Sequence, residues 1–380
     1  MRKLSAYIVL VVVGLIYVAG CNQTITNKIQ EYKAKDNPYL NSDRYRYGDL
    51  YGMSYLSYFR KSYNPGPPIK MIECSCTPKI DLYTVSDSYI WPAFTSKKYY
   101  YGVDKLDNLI SSHHEKFKIN LDSAKINVLM LEFTERNVAY MLEDEGYMDN
   151  ILNAPDKDKK TESASQELNP QQIQAKSPGN KLSAILASIK QFRTVIFDYI
   201  FNININSNLE FNLTDNSILS PIKELKADMN YKLFNAVDDN VKISDKGDQL
   251  FYTPTVDTLD IMSAFRFISD KEKDTLVSRL NSIYFNYKKN GFARVYLTIV
   301  PNPISMLSPN YHSLTYNHLL ERIQNSPSLK MPFINLLPVF SREKNRVYLK
   351  SDSHWNHNGA SIWQKEFNSR LETLLKTGSK

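Results

Sequence analysis

"INVLMLEF", residues 126–133, is the stretch that decides the fold class predicted for this sequence. Its apolar residues are nearly continuous rather than alternating, and such a run is typical of a strand buried on both faces of a parallel sheet. Further strands are predicted at "KIDLYTV" (79–85), "ARVYLTIV" (293–300) and, more briefly, "FINLL" (333–337). We therefore expect a core built on parallel strands.

Apolar residues at helical spacing predict helices between and after these strands, around 181–201, 271–289, 313–324 and 359–376. The last helix has a clear core-facing stripe, which consists of Trp363, Phe367, Leu371 and Leu374. Alternating strands and helices predict an α/β fold, a three-layer sandwich with a central, mostly parallel sheet and helices on both faces. In such folds, sites form at the carboxyl ends of the strands.

The N-terminus has the order of a secretory signal peptide, which we place at residues 1–21. Two basic residues precede an apolar run from Ala6 to Ala19, and that run is shorter than the about 20 residues that span a bilayer comfortably. "VAGC" (18–21) resembles the bacterial lipobox, in which Cys21 would be lipid-modified. The alternative is an uncleaved signal anchor, and both predict an exported chain tethered to a membrane.

Composition divides the remainder of the chain. The polar, proline-punctuated residues 22–70 predict a tether and entry segment, and 71–152 the first half of the α/β domain. Residues 153–180 contain three prolines and almost no large apolar residue, which indicates a disordered linker or surface insertion. The helical segment and second half of the domain follow in 181–380.

Charge and motifs exclude several classes of partner. Removal of the signal peptide lowers the formal charge from +7 to +5 without leaving a basic stripe, so no nucleic-acid partner is predicted. Only 12 glycines occur, and neither GxGxxG nor GxxxxGK is present, which argues against a nucleotide cofactor. Cys74 and Cys76 leave three readings open: a tight disulfide, free thiols, or a weak metal motif.

The segment "YLKSDSHWNHNGA" (348–360) concentrates polar residues before the last helix. Asp352 and Ser353 could cap that helix, and Asp352, His354 and His357 could bind a metal ion. A histidine acting as a general base needs a nucleophile, and Ser88 is the best candidate because "TVSDSYIW" (84–91) places it directly after a predicted strand.

Three short blocks carry a family resemblance. "SDS" (86–88) resembles the GDS block of SGNH hydrolases, and "DSHWNHNGA" (352–360) resembles the Asp-His block of the alginate O-acetyltransferase-like branch of that superfamily. "EFTERN" (132–137) is similar to the stretch that follows the serine block in the same branch. The blocks are in permuted order, since the serine block comes first here and follows the Asp-His block in the alginate enzymes.

The resemblance implies an SGNH-type fold and a triad in which Ser88 is the nucleophile, His354 the base and Asp352 its orienting acid. The oxyanion would be held by the Ser88 backbone N–H and by a side chain from Asn137 or Arg136.

Other residues near these blocks have weaker predicted roles. Asp87 and Trp355 are further candidates for contacts with the oxyanion or the substrate, although Trp355 can equally pack beneath its loop. Glu132 and Glu135 are expected to pair with Arg136 rather than to form a glycosidase pair.

The resemblance implies an exported, lipid-tethered enzyme that transfers O-acyl groups, acetyl in this branch, to a cell-envelope or secreted polysaccharide. A membrane-bound O-acyltransferase partner would deliver the acyl group, and the triad would need neither a cofactor nor a metal. Two alternatives stay open: a carbohydrate esterase with the same triad, and a non-catalytic glycan-binding or assembly lipoprotein.

Overall fold

The computed structural model describes residues 2–34, 41–74, 76–90, 93–110, 117–144, 152–153 and 205–377. The predicted linker (153–180), apart from its first residue, and the predicted helix at 181–201 lie outside these residues.

Helices outnumber strands in the described part of the chain. The helices are α1 (Arg2–Cys21), α2 (Gln23–Ala34), α3 (Asp43–Tyr47), α4 (Asp49–Ser54), α5 (Ser57–Lys61), α6 (Glu135–Val138), α7 (Ile205–Thr214), α8 (Ser220–Phe234), α9 (Asp270–Lys289), α10 (Pro303–Leu307), α11 (Leu319–Gln324), α12 (Leu337–Val347) and α13 (His357–Thr377). The strands are β1 (Ile80–Ser86), β2 (Val103–Ile110), β3 (Phe117–Lys118), β4 (Ile126–Thr134), β5 (Leu152–Asn153), β6 (Val241–Ile243), β7 (Leu250–Tyr252) and β8 (Arg294–Val300).

The chain divides into two compact units. The first comprises Met1–Arg46 and Lys157–Lys223, and the second comprises Tyr47–Asp156 and Glu224–Lys380. The division after Arg46 differs from the predicted boundary at residue 70, because residues 47–61 pack into the second unit.

The first unit contains a helix that is long and apolar enough to cross a membrane. This stretch, Leu4–Cys21, has a mean hydropathy of 2.4, a property that a signal sequence shares. Within the unit, the Asn208 amide donates to the Gly20 carbonyl at 2.9 Å. Cys21 is only 5% exposed.

The second unit is built on a four-stranded parallel sheet in the order β2-β1-β4-β8. Leu82 of β1 lies opposite Val128 of β4, and Met130 of β4 lies opposite Tyr296 of β8. All of β1 is buried, as is β4 after its first residue. An α/β fold with a central parallel sheet flanked by helices is therefore confirmed, and so are the three longer predicted strands.

Two long helices also match their predictions. In α13, Trp363 and the rest of the predicted stripe are buried, and the Trp363 indole donates to Thr298 Oγ1 at 3.1 Å. Helix α9 begins with a capping box, in which Ser269 Oγ accepts from the Glu272 N–H at 3.2 Å and the Glu272 carboxylate accepts from the Ser269 N–H at 2.8 Å. Such a box satisfies backbone donors that a helix start leaves free.

Two other predicted elements are wrong in part. The predicted strand at 333–337 is reduced to one bridge between Leu297 and Phe333, because Asn335 accepts from the Leu337 N–H and Pro338 starts α12 there. The helix predicted at 313–324 begins only at Leu319.

The predicted entry segment (22–70) is not merely a surface tether. It contains α2 to α5, and Leu50 and Phe59 are buried in a small core with Val241 and Leu250. The Tyr51 N–H donates to the Ser351 carbonyl at 2.9 Å, which fixes this segment against the predicted Asp-His block.

Cys74 and Cys76 form a disulfide, with their Cα atoms 5.2 Å apart. The structure therefore supports the first of the three readings left open for this pair.

Candidate active site

The serine block lies at the carboxyl end of β1. The Asp87 N–H donates to Glu132 Oε2 at 3.0 Å, and the Tyr89 N–H donates to Asp87 Oδ1 at 3.0 Å, so the turn is held on both sides of Ser88. Ser88 itself is exposed, whereas Ser86 and Tyr89 are buried. The turn thus presents one hydroxyl to solvent at the edge where parallel sheets form their sites.

The Asp-His block is a tight loop between α12 and α13. Tyr348 and Trp355 pair across it, and the Leu349 N–H donates to the His354 carbonyl at 3.2 Å. The Gln249 amide donates to the Leu349 carbonyl at 2.8 Å, which ties the loop to β7.

The structure brings the three predicted triad residues together. Ser88 Oγ lies 2.6 Å from His354 Nε2, and His354 Nδ1 lies 2.5 Å from Asp352 Oδ1. With the ring proton on Nδ1, the imidazole donates to Asp352 and Nε2 accepts from the serine hydroxyl. This is the order of contacts that activates a serine nucleophile.

Asp49 is a fourth member of the site that the sequence did not reveal. Its N–H donates to Asp352 Oδ2 at 3.1 Å, and its carboxylate accepts from the Ser353 N–H at 2.9 Å and from Ser353 Oγ at 2.7 Å. The preceding Gly48 has φ +111°, and a Cβ there would lie 2.4 Å from the Ser351 carbonyl oxygen. The only local signal was a glycine directly before an acidic residue.

Burial and charge have opposite effects on the pKa values of His354 and Asp352. Burial alone would lower the pKa of His354, but its hydrogen bond to Asp352 and the charges of Asp352 and Asp49 outweigh burial and raise the pKa. Burial alone would raise the pKa of Asp352, but the contacts with His354 and Asp49 lower it to about 2. The pKa of Asp49 is raised, first by burial and then by the charge of Asp352.

Trp355 packs beneath the loop and does not face a substrate. It is 5% exposed, and its indole N–H donates to the Tyr89 carbonyl at 3.2 Å. The Tyr89 ring lies 4.6 Å from the His354 ring, and its hydroxyl donates to the Ser353 carbonyl. Of the two roles left open for Trp355, the structure supports packing beneath the loop, because the indole is covered by protein. His357 lies elsewhere, with Nδ1 3.2 Å from the Gly66 carbonyl oxygen.

Arg136 and Asn137 follow β4 in α6, and both are partly buried. Within the described chain, Arg136 forms neither a hydrogen bond nor an ion pair. Burial lowers its pKa, but nearby Tyr89, Asp87 and Asp49 outweigh burial and raise it. The charge of Arg136 in turn lowers the pKa of His354, so its electric field reaches the triad.

The expected pairing of Arg136 with Glu132 or Glu135 is wrong. Glu132 is fully buried, and burial followed by the charge of Asp87 raises its pKa well above the usual range. Glu135 Oε2 accepts from the Asn302 N–H and from Ser305 Oγ, both at 2.7 Å. The two acids hold the backbone around the site and do not form an ion pair with Arg136.

Three site residues also offer ligand atoms that lie within 4.8 Å of one another: Asp49, Asp352 and His354. Each is already hydrogen-bonded to another group of the site. His357, part of the metal alternative, does not belong to this group.

No family model matches the chain, and comparisons with curated proteins and with solved structures give no significant match. A functional assignment therefore depends on the geometry of this site and on the resemblance of its short motifs.

Proposed function

We propose that this chain is an exported serine-dependent O-acyltransferase of SGNH type that transfers an acyl group, acetyl in the simplest case, to a polysaccharide. The observation that carries the proposal is the continuous chain of contacts from exposed Ser88 through His354 to Asp352. If Asp352 and Ser353 only capped a helix, there would be no need for the Ser88 hydroxyl, from the end of β1, to lie 2.6 Å from His354 Nε2.

In the first half-reaction, Ser88 Oγ transfers its proton to His354 Nε2 and forms a bond to the acyl carbonyl carbon of the donor. The tetrahedral intermediate collapses, and the donor's oxygen departs with the proton from His354. Asp352 keeps the imidazole oriented and stabilises its positive charge. The product is an acyl-enzyme ester on Ser88.

In the second half-reaction, a sugar hydroxyl gives its proton to His354 and attacks the acyl carbon. Ser88 then leaves and recovers the proton. Arg136 or Asn137 would stabilise the developing oxyanion together with the Ser88 N–H.

A cavity of about 360 Å³ beside the Asp-His loop supports a saccharide acceptor. Its lining combines aromatic, amide and charged side chains, including Tyr311, Tyr348, Gln249 and Lys350. Most of its lining residues are polar or charged, and such groups can form hydrogen bonds with sugar hydroxyls.

Export and membrane attachment are part of the proposal. The apolar helix Leu4–Cys21 supports an N-terminal signal with lipid modification at Cys21, and the disulfide between Cys74 and Cys76 supports an oxidising compartment. The acyl donor there would be a membrane-bound O-acyltransferase.

Because Ser88 is exposed, water could also accept the acyl group. One experiment separates transfer to a sugar from hydrolysis. The full chain is incubated with an aryl acetate and an oligosaccharide, and the acetylated sugar is quantified beside free acetate. We expect acetylated sugar that disappears in Ser88→Ala. Acetate alone would support the esterase, and no turnover with either acceptor would support a non-catalytic binding protein.

A further inference from the structure

The outer surface of α8 carries an apolar stripe. Leu225, Met229 and Leu233 recur every four residues and are 63%, 50% and 66% exposed. Residues at this spacing lie one above the other on a helix. A helix in a water-soluble domain usually turns such a stripe toward the core.

Two acidic groups of the same helix face the protein instead. Glu224 Oε1 accepts from Tyr51 OH and pairs with Arg60 Nε, both at 2.8 Å. Asp228 accepts from Ser57 Oγ at 2.6 Å and from the Ser57 N–H at 3.1 Å. The helix is thus attached through its acids, which fixes the apolar stripe on the outside.

Two lysines border the stripe. At 3.6 residues per turn, Lys226 and Lys232 lie about 60° to either side of its centre. Both are exposed, and neither forms an ion pair within the described part of the chain. Because Glu224 and Asp228 are engaged on the inner side, the outer surface of this segment presents apolar and positively charged groups together.

We propose that α8 docks on an anionic membrane surface, with Leu225, Met229 and Leu233 among the upper acyl chains and the two lysines at the lipid phosphates. An apolar stripe bordered by lysines is the composition of an interfacial helix. Its charge complements an anionic leaflet. The chain also carries Leu4–Cys21, which is apolar and long enough for a membrane.

The test uses the full chain on vesicles of phosphatidylcholine and phosphatidylglycerol that contain a lipid with a photoactivatable acyl chain. After illumination, adducts are mapped by proteolysis and mass spectrometry. We expect adducts in residues 224–234. Phe267 and Phe285, which are 81% and 56% exposed, serve as matched apolar controls and should stay unlabelled.

Two variants make the test specific, with vesicle co-flotation showing that each protein is still membrane-bound. Leu225→Glu with Leu233→Glu should abolish labelling of 224–234. Lys226→Glu with Lys232→Glu should reduce the labelling of 224–234 by roughly fivefold or more for each lysine. This reduction should occur only on anionic vesicles.

Three results would overturn the proposal. They are the absence of adducts in 224–234 on floated wild-type protein, equal labelling of the Phe267 and Phe285 peptides, and labelling that is unchanged in the leucine variant. Unchanged circular dichroism of both variants would show that lost labelling reflects lost docking and not unfolding. The exposure of all four substituted side chains makes such folding the expected result.

Discussion

Ser88 and His354 are 266 positions apart in sequence, and their contact depends on two separate loops being held in place. On the serine side, Glu132 fixes the turn through the Asp87 N–H. On the histidine side, Asp49 holds the loop through Ser353. Each reacting group is therefore positioned by a carboxyl group: buried Glu132 on the serine side and partly buried Asp49 on the histidine side.

The pH dependence of activity should report His354. The base must be neutral to accept the serine proton, and the hydrogen bond to Asp352 and the acidic charges raise its pKa above the ordinary value of 6.5. We expect kcat/KM for an aryl acetate to rise with pH through a midpoint above 6.5. In Asp352→Asn the midpoint should shift downward and the rate should fall by roughly 10⁴. An unshifted midpoint in Asp352→Asn would contradict the assignment.

Arg136 and Asn137 can be separated by substitution. Loss of one oxyanion donor typically lowers kcat by about 10²–10³. The positive charge of Arg136 already acts on His354, which favours Arg136, so Arg136→Met should cause this loss while Asn137→Ala stays within about tenfold of wild type. KM should change little if the interaction forms in the transition state. The reverse pattern in the two variants would assign the oxyanion contact to Asn137.

At the residue scale, the sequence indicated the triad but not its supports. Ser88, His354 and Asp352 occur in recognisable short motifs. Asp49 has no such motif, because its role arises from contact with residues about 300 positions away. The burial of Trp355 likewise depends on Tyr89, which no local pattern could reveal.

At the element scale, the candidate site depends on parallel strands β1, β4 and β8, whose carboxyl ends lie at one edge of the sheet. Their continuous apolar runs made all three predictable. Strand β2 was not predicted, because "VDKLDNLI" carries charged residues along an edge strand. The boundary of α11 was missed because His312, Ser313 and His318 adopt positive φ, which interrupts the helix that the apolar pattern suggests.

Glu135, the residue directly after β4, should make the free energy of unfolding depend on pH. Burial raises the pKa of Glu135 to about 7, from an ordinary value of 4.5. Between these values the folded state binds more protons than the unfolded state, so the free energy of unfolding falls as pH rises from 4.5 to about 7.

Glu135→Gln should flatten this pH dependence, since the amide keeps the shape of the side chain without titrating. Urea midpoints measured at several pH values across this window provide the test. A slope that persists unchanged in Glu135→Gln would contradict the role of this carboxyl group.

At the scale of the whole molecule, the catalytic proposal concerns the second unit, whereas the lipid attachment proposed at Cys21 concerns the first. Cys21 is the last residue of α1, directly at the predicted cleavage site. The sequence alone predicted an apolar N-terminus and a parallel sheet. It could not predict the division after Arg46, because the packing of Leu50 and Phe59 depends on residues about 190 positions later.

Processing at Cys21 can be measured directly. Protein extracted from membranes of an exporting host should lack residues 1–20 and carry a lipid on Cys21, as shown by intact mass and N-terminal peptide mapping. Cys21→Ser should retain residues 1–20. A wild-type chain that keeps its first 20 residues would instead support the uncleaved anchor.

The central claim is that Ser88 forms an acyl-enzyme. The full chain is mixed with an aryl acetate, quenched in acid within one turnover, and analysed by intact mass and peptide mapping. Ser278→Ala, which removes an exposed serine of α9, serves as the matched control. We predict one acetyl group on the peptide that contains Ser88 in wild type and Ser278→Ala, and none in Ser88→Ala or His354→Ala. An unmodified Ser88, or equal acetylation in Ser88→Ala, would contradict the account.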